Sequence, residues 1–258
     1  MMNATVVARE QITPELFIIR VKPDGGVPTF SPGQYVAVGL PGSAERVTGS
    51  LPEKEPAAPE KLIKRAYSIG SPPSINEYLE LYVATVPEGA LTPRLAHIKI
   101  GERIHVAPKI TGTFTINSVP TNHNLILVST GTGVAPYLAM VRHKDTWTTE
   151  RTVTIVHGVR HSPDLAYREE LEELAKSRTD FSYIPIVSRT DPEWNGATGR
   201  VQTLFEKEII ALDSAKDHVF LCGNPAMIDD MEKLLLSKGY SVHSKKNPDG
   251  KLHLEKYW

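Results

Sequence analysis

The chain has 258 residues, enough for one large domain or two small ones, and its 29 Lys and Arg against 30 Asp and Glu leave a net charge of -1. No global field recruits nucleic acid or an anionic membrane, so a partner has to be sought in local clusters. A single cysteine, Cys222, excludes an internal disulfide framework and any iron–sulfur cluster or zinc held by several thiolates.

The first half reads as short β-rich runs, "TVVARE", "LFIIRV", "QYVAVGL", "YLELYVATV" and "RIHVAP", separated by turns containing Gly and Pro. That texture predicts an antiparallel barrel or sandwich. Residues 41 to 64, with "LPEKEPAAPEKL" inside, are rich in Pro, Glu and Lys and read as a long surface loop. "RAYSIGSP" then joins a cation, an aromatic and a hydroxyl on one predicted strand, Arg65 and Tyr67 sharing a face and Ser68 pointing to the other. Such a set can hold a phosphate with Arg65 and lay Tyr67 against a flat ring, and it is equally compatible with an ordinary strand. In "EGALTPRLAHI", Gly89 precedes a predicted short helix with Thr92 as N-cap and Pro93 at its first position, an anion-binding helix start or a plain cap.

At "SVPTNHN" the pattern changes, which places a boundary between residues 117 and 118. Apolar strands ("LILVST", "TVTIVHG", "FSYIPIVS", "HVFLCG") now alternate with predicted helices ("APYLAMVRHK", "PDLAYREELEELAKS", "PAMIDDMEKLLLSKG"), the signature of a parallel sheet with crossover helices. "NLILVSTGTGVAP" runs its strand into Gly131-Thr132-Gly133, with the next helix expected near Val134. It lacks the Gly-Lys-Ser/Thr end of a P-loop, and Pro136 stands where the dinucleotide pattern has Gly or Ala. Backbone N–H groups above two glycines at a helix start favour a pyrophosphate. A tight strand-to-helix turn without ligand is the other reading. The second strand ends in "VHGVRHS", offering Arg160 where an NAD site usually has an acid; the third ends in "VSRT" with Ser188 and Arg189, and "TGR" adds Arg200. Three arginines at or just beyond strand ends suit charge-assisted bonds to a terminal phosphate such as the 2′-phosphate of NADP. Nine histidines form no HxxxH or HExxH pair, so no metal is assigned.

The order RxYS, EGxLTxRL, GTGxAP, VSR, CGNPxMI and an aromatic end, "LEKYW", resembles the bacterial ferredoxin/flavodoxin-NADP reductases over nearly the whole chain, except the loop 41 to 64. Several of these motifs also occur in cytochrome b5 reductases; the combination carries the specificity. The resemblance implies two domains, an FAD-binding six-stranded antiparallel β-barrel over 1–117 and an NADP-binding parallel α/β domain over 118–258. Arg65, Ala66, Tyr67 and Ser68, with Tyr82, Val83 and Thr85 on the strand beside the cofactor, would then hold FAD. Gly89, Ala90, Leu91 and Thr92 would line its pyrophosphate, and Thr132 would face the flavin. Gly131, Thr132, Gly133, Arg160, Ser188, Arg189, Arg200, Cys222, Gly223, Asn224 and Met227 would bind NADP.

The implied chemistry passes a hydride between NADP(H) and FAD, and single electrons between FAD and ferredoxin or flavodoxin; the protein mainly orients the rings. The resemblance gives catalytic parts to Ser68 and Cys222 around the transferred hydride, to Glu255 in proton delivery and to Tyr257 as a gate on the flavin face, with Trp258 stacked on the FAD adenine. A lone cysteine ending an apolar strand also fits buried filler. The expected partners are ferredoxin, flavodoxin or both, with no nucleic acid or membrane; a monomer is the default, and a cytoplasmic enzyme is expected from the absence of a spanning or leader segment. An NADH-dependent flavin reductase of the cytochrome b5 reductase type is the nearest rival, against which the arginines argue. An electron-transfer subunit of a larger complex is the other, and a single cysteine cannot build the cluster such subunits carry.

Overall fold

The computed structural model describes residues 1–189 and 191–256 and divides into two compact units, Met1–Thr115 with Leu138–His143, and Ile116–Tyr137 with the described residues from Lys144 onward. No helix among the described residues is long and apolar enough to cross a membrane.

The first unit contains β1 (Ala4–Gln11), β2 (Leu16–Pro23), β3 (Tyr35–Pro41), β4 (Leu62–Ser68), β5 (Leu79–Ala84), helix α1 (Thr92–His97) and β6 (Arg103–Val106). The strands form one antiparallel sheet in the order β4-β3-β6-β1-β2-β5. Its two edges meet: Ile69 bridges Leu81, and the Gly70 amide donates to the Glu80 carbonyl at 2.8 Å, which closes the sheet into a barrel. Period-two alternation sets the inside. Phe17, Ile19 and Val21 stand opposite Val83, Leu81 and Leu79, and all six are buried. The sandwich alternative is thereby set aside. A bulge between Val6 and Ala8 turns Val7 out to solvent.

The loop 41 to 64 is tied down at several points. Val47 N donates to Pro93 O at 2.9 Å and Leu51 N to Pro87 O at 3.0 Å. Arg94, 5 % exposed, donates to the Glu53 carboxylate, to Ala90 O and, at 2.7 Å, to Gly42 O. The expected Thr92 cap is not formed. Leu91 holds the cap position without a side-chain bond, and Thr92 Oγ1 instead accepts from Val86 N at 2.9 Å, stitching the preceding turn.

The second unit holds β7 (Asn124–Thr130), the start of α2 (Ala135–Val141), β8 (Val153–Val159), α3 (Arg168–Ser177), β9 (Phe181–Val187), β10 (Ala197–Thr198), α4 (Gln202–Glu206), β11 (Asp217–Gly223), α5 (Pro225–Ser237) and β12 (Leu252–Lys256). All pairings are parallel in the order β10-β9-β8-β7-β11-β12. The chain moves outward from β7 on one side and from β11 on the other, so the strand order reverses between them. Ligands of such sheets bind at the carboxyl ends beside that reversal. Arg151 knits the incoming segment to this unit, donating to the carbonyls of His123, Thr146, Val119 and Pro120 at 2.8 to 3.3 Å.

One helix start agrees with the sequence pattern and one differs from it. Residues 131–134 form a 3-10 turn and α2 begins at Ala135, within a residue of the expected start. The stretch from Pro163 becomes α-helical only at Arg168, because a short 3-10 turn over Ser162–Asp164 closes at Leu165 and Tyr167, in a left-handed conformation (φ 62°), holds the cap position of α3.

Candidate functional site

In the second unit the turn after β7 and the turn after β11 flank the reversal and pack on one another. Gly133 lies so close to β11 that an added Cβ would sit 2.3 Å from the Cys222 carbonyl oxygen, which no side chain tolerates. The Asn224 amide donates to Thr130 Oγ1 at 2.9 Å, and the Asn224 side chain caps α5 by accepting from Ala226 N at 2.9 Å, with Pro225 in the first turn. Tyr137 places its hydroxyl between the carbonyls of Val128 and Phe220, at 3.0 and 2.7 Å, locking α2 onto both strands.

At the carboxyl ends of β8 and β9 the chain brings the expected cations together. The Ser188 amide donates to Val159 O (2.9 Å), Arg189 N to Arg160 O (3.0 Å) and Gly199 N to Val187 O (2.9 Å), so Arg160, Arg189 and Arg200 leave adjacent strand ends. All three are exposed, and no described residue hydrogen-bonds or ion-pairs with their guanidinium groups. The cluster can grip a dianion without first breaking an ion pair. Ser188 spends its proton on Val159 O at 3.0 Å and retains only lone pairs for a ligand.

Cys222 is 0 % exposed, and its Sγ lies 3.9 Å from Glu255 Oε1, the residue opposite it on β12. Glu255 is half-buried in a strand, which the sequence pattern had not distinguished from an exposed tail. Met227 is 6 % exposed and packs with Ile228 and Met231 in the core, leaving little of it for a ligand. Tyr257 and Trp258 lie outside the described residues.

In the first unit Arg65 and Ala66 are exposed on β4, Tyr67 is half-buried against the core and Ser68 is buried. Burial pushes the Tyr67 phenol upward, with Arg65 opposing, so it remains protonated at any working pH. Arg65 Nη1 donates to Lys64 O at 2.8 Å, and no acid among the described residues engages it. On β5, Tyr82 and Val83 are buried, and just past its end Thr85 Oγ1 is buried with no hydrogen-bond partner among the described residues. At the turn before α1, the amides of Ala90 and Leu91 find no acceptor among the described residues. An orphaned hydroxyl, two open amides and an arginine with no acidic partner among the described residues suit an anionic cofactor with hydrogen-bonding groups.

Sequence reasoning missed Glu53 and Arg94, which fasten the loop to α1, and His157, buried on β8 with Nε2 3.0 Å from Gly131 O and Nδ1 3.2 Å from the Tyr183 hydroxyl. Burial pushes His157 down to about 4. A lone histidine in an apolar strand carried no signal; only the fold sets it beneath the glycine turn.

Residues 127–233 match the family model for an oxidoreductase NAD-binding domain. The chain is 32 % identical over 235 residues to the flavodoxin/ferredoxin–NADP reductase of Shigella flexneri, covering 89 % of this chain and 88 % of that one. It is 37 % identical over 203 residues to ferredoxin–NADP reductase A of Sorangium cellulosum, covering 73 % and 72 %. Its fold matches a crystal structure of a ferredoxin NADP+ reductase from Neisseria gonorrhoeae with bound FAD and NADP, at a TM-score of 0.82 and 22 % identity over 99 % of this chain and 98 % of that one.

Proposed function

Because the chain belongs to the flavodoxin/ferredoxin–NADP reductase family, we propose that its barrel unit carries FAD and that its parallel-sheet unit takes NADP(H), with ferredoxin or flavodoxin as transient electron partner in the cytoplasm. The observation that carries the cofactor choice is the cluster of Arg160, Arg189 and Arg200 at adjacent strand ends with no acidic partner among the described residues. An NAD site would set a carboxylate there for the ribose hydroxyls.

FAD supplies the conversion between two-electron hydride exchange and single-electron transfer. The chain's own residues bind and orient. Arg65 neutralises the FAD phosphate, Tyr67 lies against its flat portion, and Ser68, Tyr82, Val83 and Thr85 line it, Thr85 Oγ1 gaining the partner it lacks. The open amides of Ala90 and Leu91, between Gly89 and Thr92, receive the FAD pyrophosphate. On the other unit the turn Gly131-Thr132-Gly133 takes the NADP pyrophosphate, with Gly223 and Asn224 across the reversal. Cys222 donates its S–H toward Glu255 Oε1 and holds that carboxylate on β12, where Glu255 stores the proton that accompanies reduction.

NADPH-driven reduction of purified ferredoxin and flavodoxin, offered in competition, tests the reading: turnover with at least one carrier, at a far lower KM for NADPH than for NADH, is expected. Equal use of NADH, or no transfer to either carrier, overturns it.

A further inference from the structure

The glycine turn after β7 is fixed by close contacts at Gly133 and by a hydrogen bond at Thr130, but its first residue has room around it. Gly133 is wedged on the Cys222 carbonyl and Thr130 is bonded to Asn224, but Gly131 sits at φ +53° with open space where a Cβ would stand. A peptide unit beside a glycine in that region turns over at little steric cost. Among the described residues the one side chain bonded to this residue is His157, which faces Ser129 across the ladder and reaches the Gly131 carbonyl at 3.0 Å. A carbonyl only accepts, so Nε2 carries the hydrogen; Nδ1 is then bare and accepts from the Tyr183 hydroxyl at 3.2 Å. The chain of donors, Tyr183 to His157 to Gly131, specifies one tautomer. Burial keeps the ring neutral above about pH 4, so the single donor and single acceptor persist across the working range.

We propose that His157 is a positioning residue for the dinucleotide: by holding the Gly131 carbonyl inward it aims the Thr132 amide outward, toward the NADP pyrophosphate. The step follows from peptide geometry. Every described peptide bond is trans, and in a planar trans unit the C=O and the next N–H point in opposite directions, so fixing one sets the other. An amide already aimed spares the ligand the cost of ordering the turn. The inference rests on the assignment of this turn to NADP made above.

The test compares flavin-loaded His157→Asn with His157→Gln. The Gln amide nitrogen reaches the region of Nε2 and can donate to Gly131, whereas Asn reaches only the Nδ1 side. The NADP+ dissociation constant, read from the flavin difference spectrum, is expected to rise about tenfold in the Asn variant, one hydrogen bond's worth. In the Gln variant it stays within about threefold of wild type, at equal flavin content and melting temperature. Equal affinities in the two variants overturn the proposal. If either fails to fold, the 15N shifts of His157 in the wild-type holoenzyme decide: an Nδ1–H tautomer overturns it, an Nε2–H tautomer supports it. Amide shifts of residues 131–134 on adding NADP+ to wild type separate the two layers. No shift removes the site assignment and this inference with it; clear shifts with equal Asn and Gln affinities remove only the part played by His157.

Discussion

At the scale of single residues, what distinguishes the site is which polar groups lack partners. Arg160, Arg189 and Arg200 are exposed with no acid against them among the described residues, whereas Arg94, Arg142 and Arg20 each bond a buried carboxylate. Composition alone makes these six arginines identical. We expect the double substitution Arg189→Ala with Arg200→Ala to erode the preference for NADPH over NADH, each lost charge-assisted bond costing roughly 1.5 to 3 kcal/mol before non-additivity. Isothermal titration with both nucleotides checks this, and unchanged NADPH affinity refutes it. Arg65→Ala should loosen FAD and leave the affinity for NADP unchanged; full flavin occupancy after prolonged dialysis would contradict that. Of the catalytic residues expected from sequence, Tyr257 lies outside the described residues together with Trp258, while Cys222 and Glu255 form a pair on neighbouring strands.

At the scale of elements, the loop 41 to 64 was legible as a loop but not as part of a scaffold. Its Glu53 carboxylate forms a buried ion pair with Arg94 on α1, whose Nη1 also donates to Ala90 O, directly beside the open amides, while Nη2 donates to Gly42 O. Breaking one partner of such a pair strands the other charge. Arg94→Met is therefore expected to lower unfolding free energy by about 3 to 5 kcal/mol, measured by urea titration, and to shorten flavin retention because Ala90 loses its tether. A drop below 1 kcal/mol would show that water replaces the pair without loss. The helical stretch of α5 was read from Pro225 onward, whereas Asn224, read as a nucleotide residue, also proves to be its cap. Thr92 was misread as a cap: its hydroxyl bonds the turn six residues upstream, a preference that no cap rule contains.

At the scale of the whole chain, buried histidines set the acid limit. His218 Nδ1 meets His253 Nε2 at 3.0 Å and His218 Nε2 meets His123 Nδ1 at 3.2 Å, while the His253 ring stacks on Phe220 with centroids 4.0 Å apart. Burial first, then neighbouring imidazoles and, for His218, the cations Lys251 and Arg151, pushes His218 down to about 4 and His253 to about 3; burial accounts for the fall of His157 to about 4. The unfolded chain binds protons near the ordinary value of 6.5 and the native state does not, so it is the unfolded form that gains as pH falls. Native stability from these groups is complete above about pH 6.5 and is lost progressively toward pH 4. Urea midpoints should decline between pH 6.5 and 5, and His253→Phe, which keeps the stacking on Phe220, should flatten that decline. A slope unchanged by the substitution would assign the acid response to other groups.

The sequence by itself determined the two textures, the strands and the glycine turn, because alternation, apolar runs and turn residues act within a few residues of one another. It also carried the family, through motifs each of which is local. Three short elements escaped it: β10 has two residues and α4 five, too few for any period, and β12 follows the polar stretch "SKKNPDGK" and gains its partners from β11. Tertiary structure alone decided the strand order that sets Gly133 against Cys222, the closure of the barrel at Ile69 and Leu81, and the placement of His157 under Gly131. Each of those joins residues 12 to 89 positions apart. The free energy that selects such contacts comes from packing and from satisfying buried polar groups, and no local pattern encodes it.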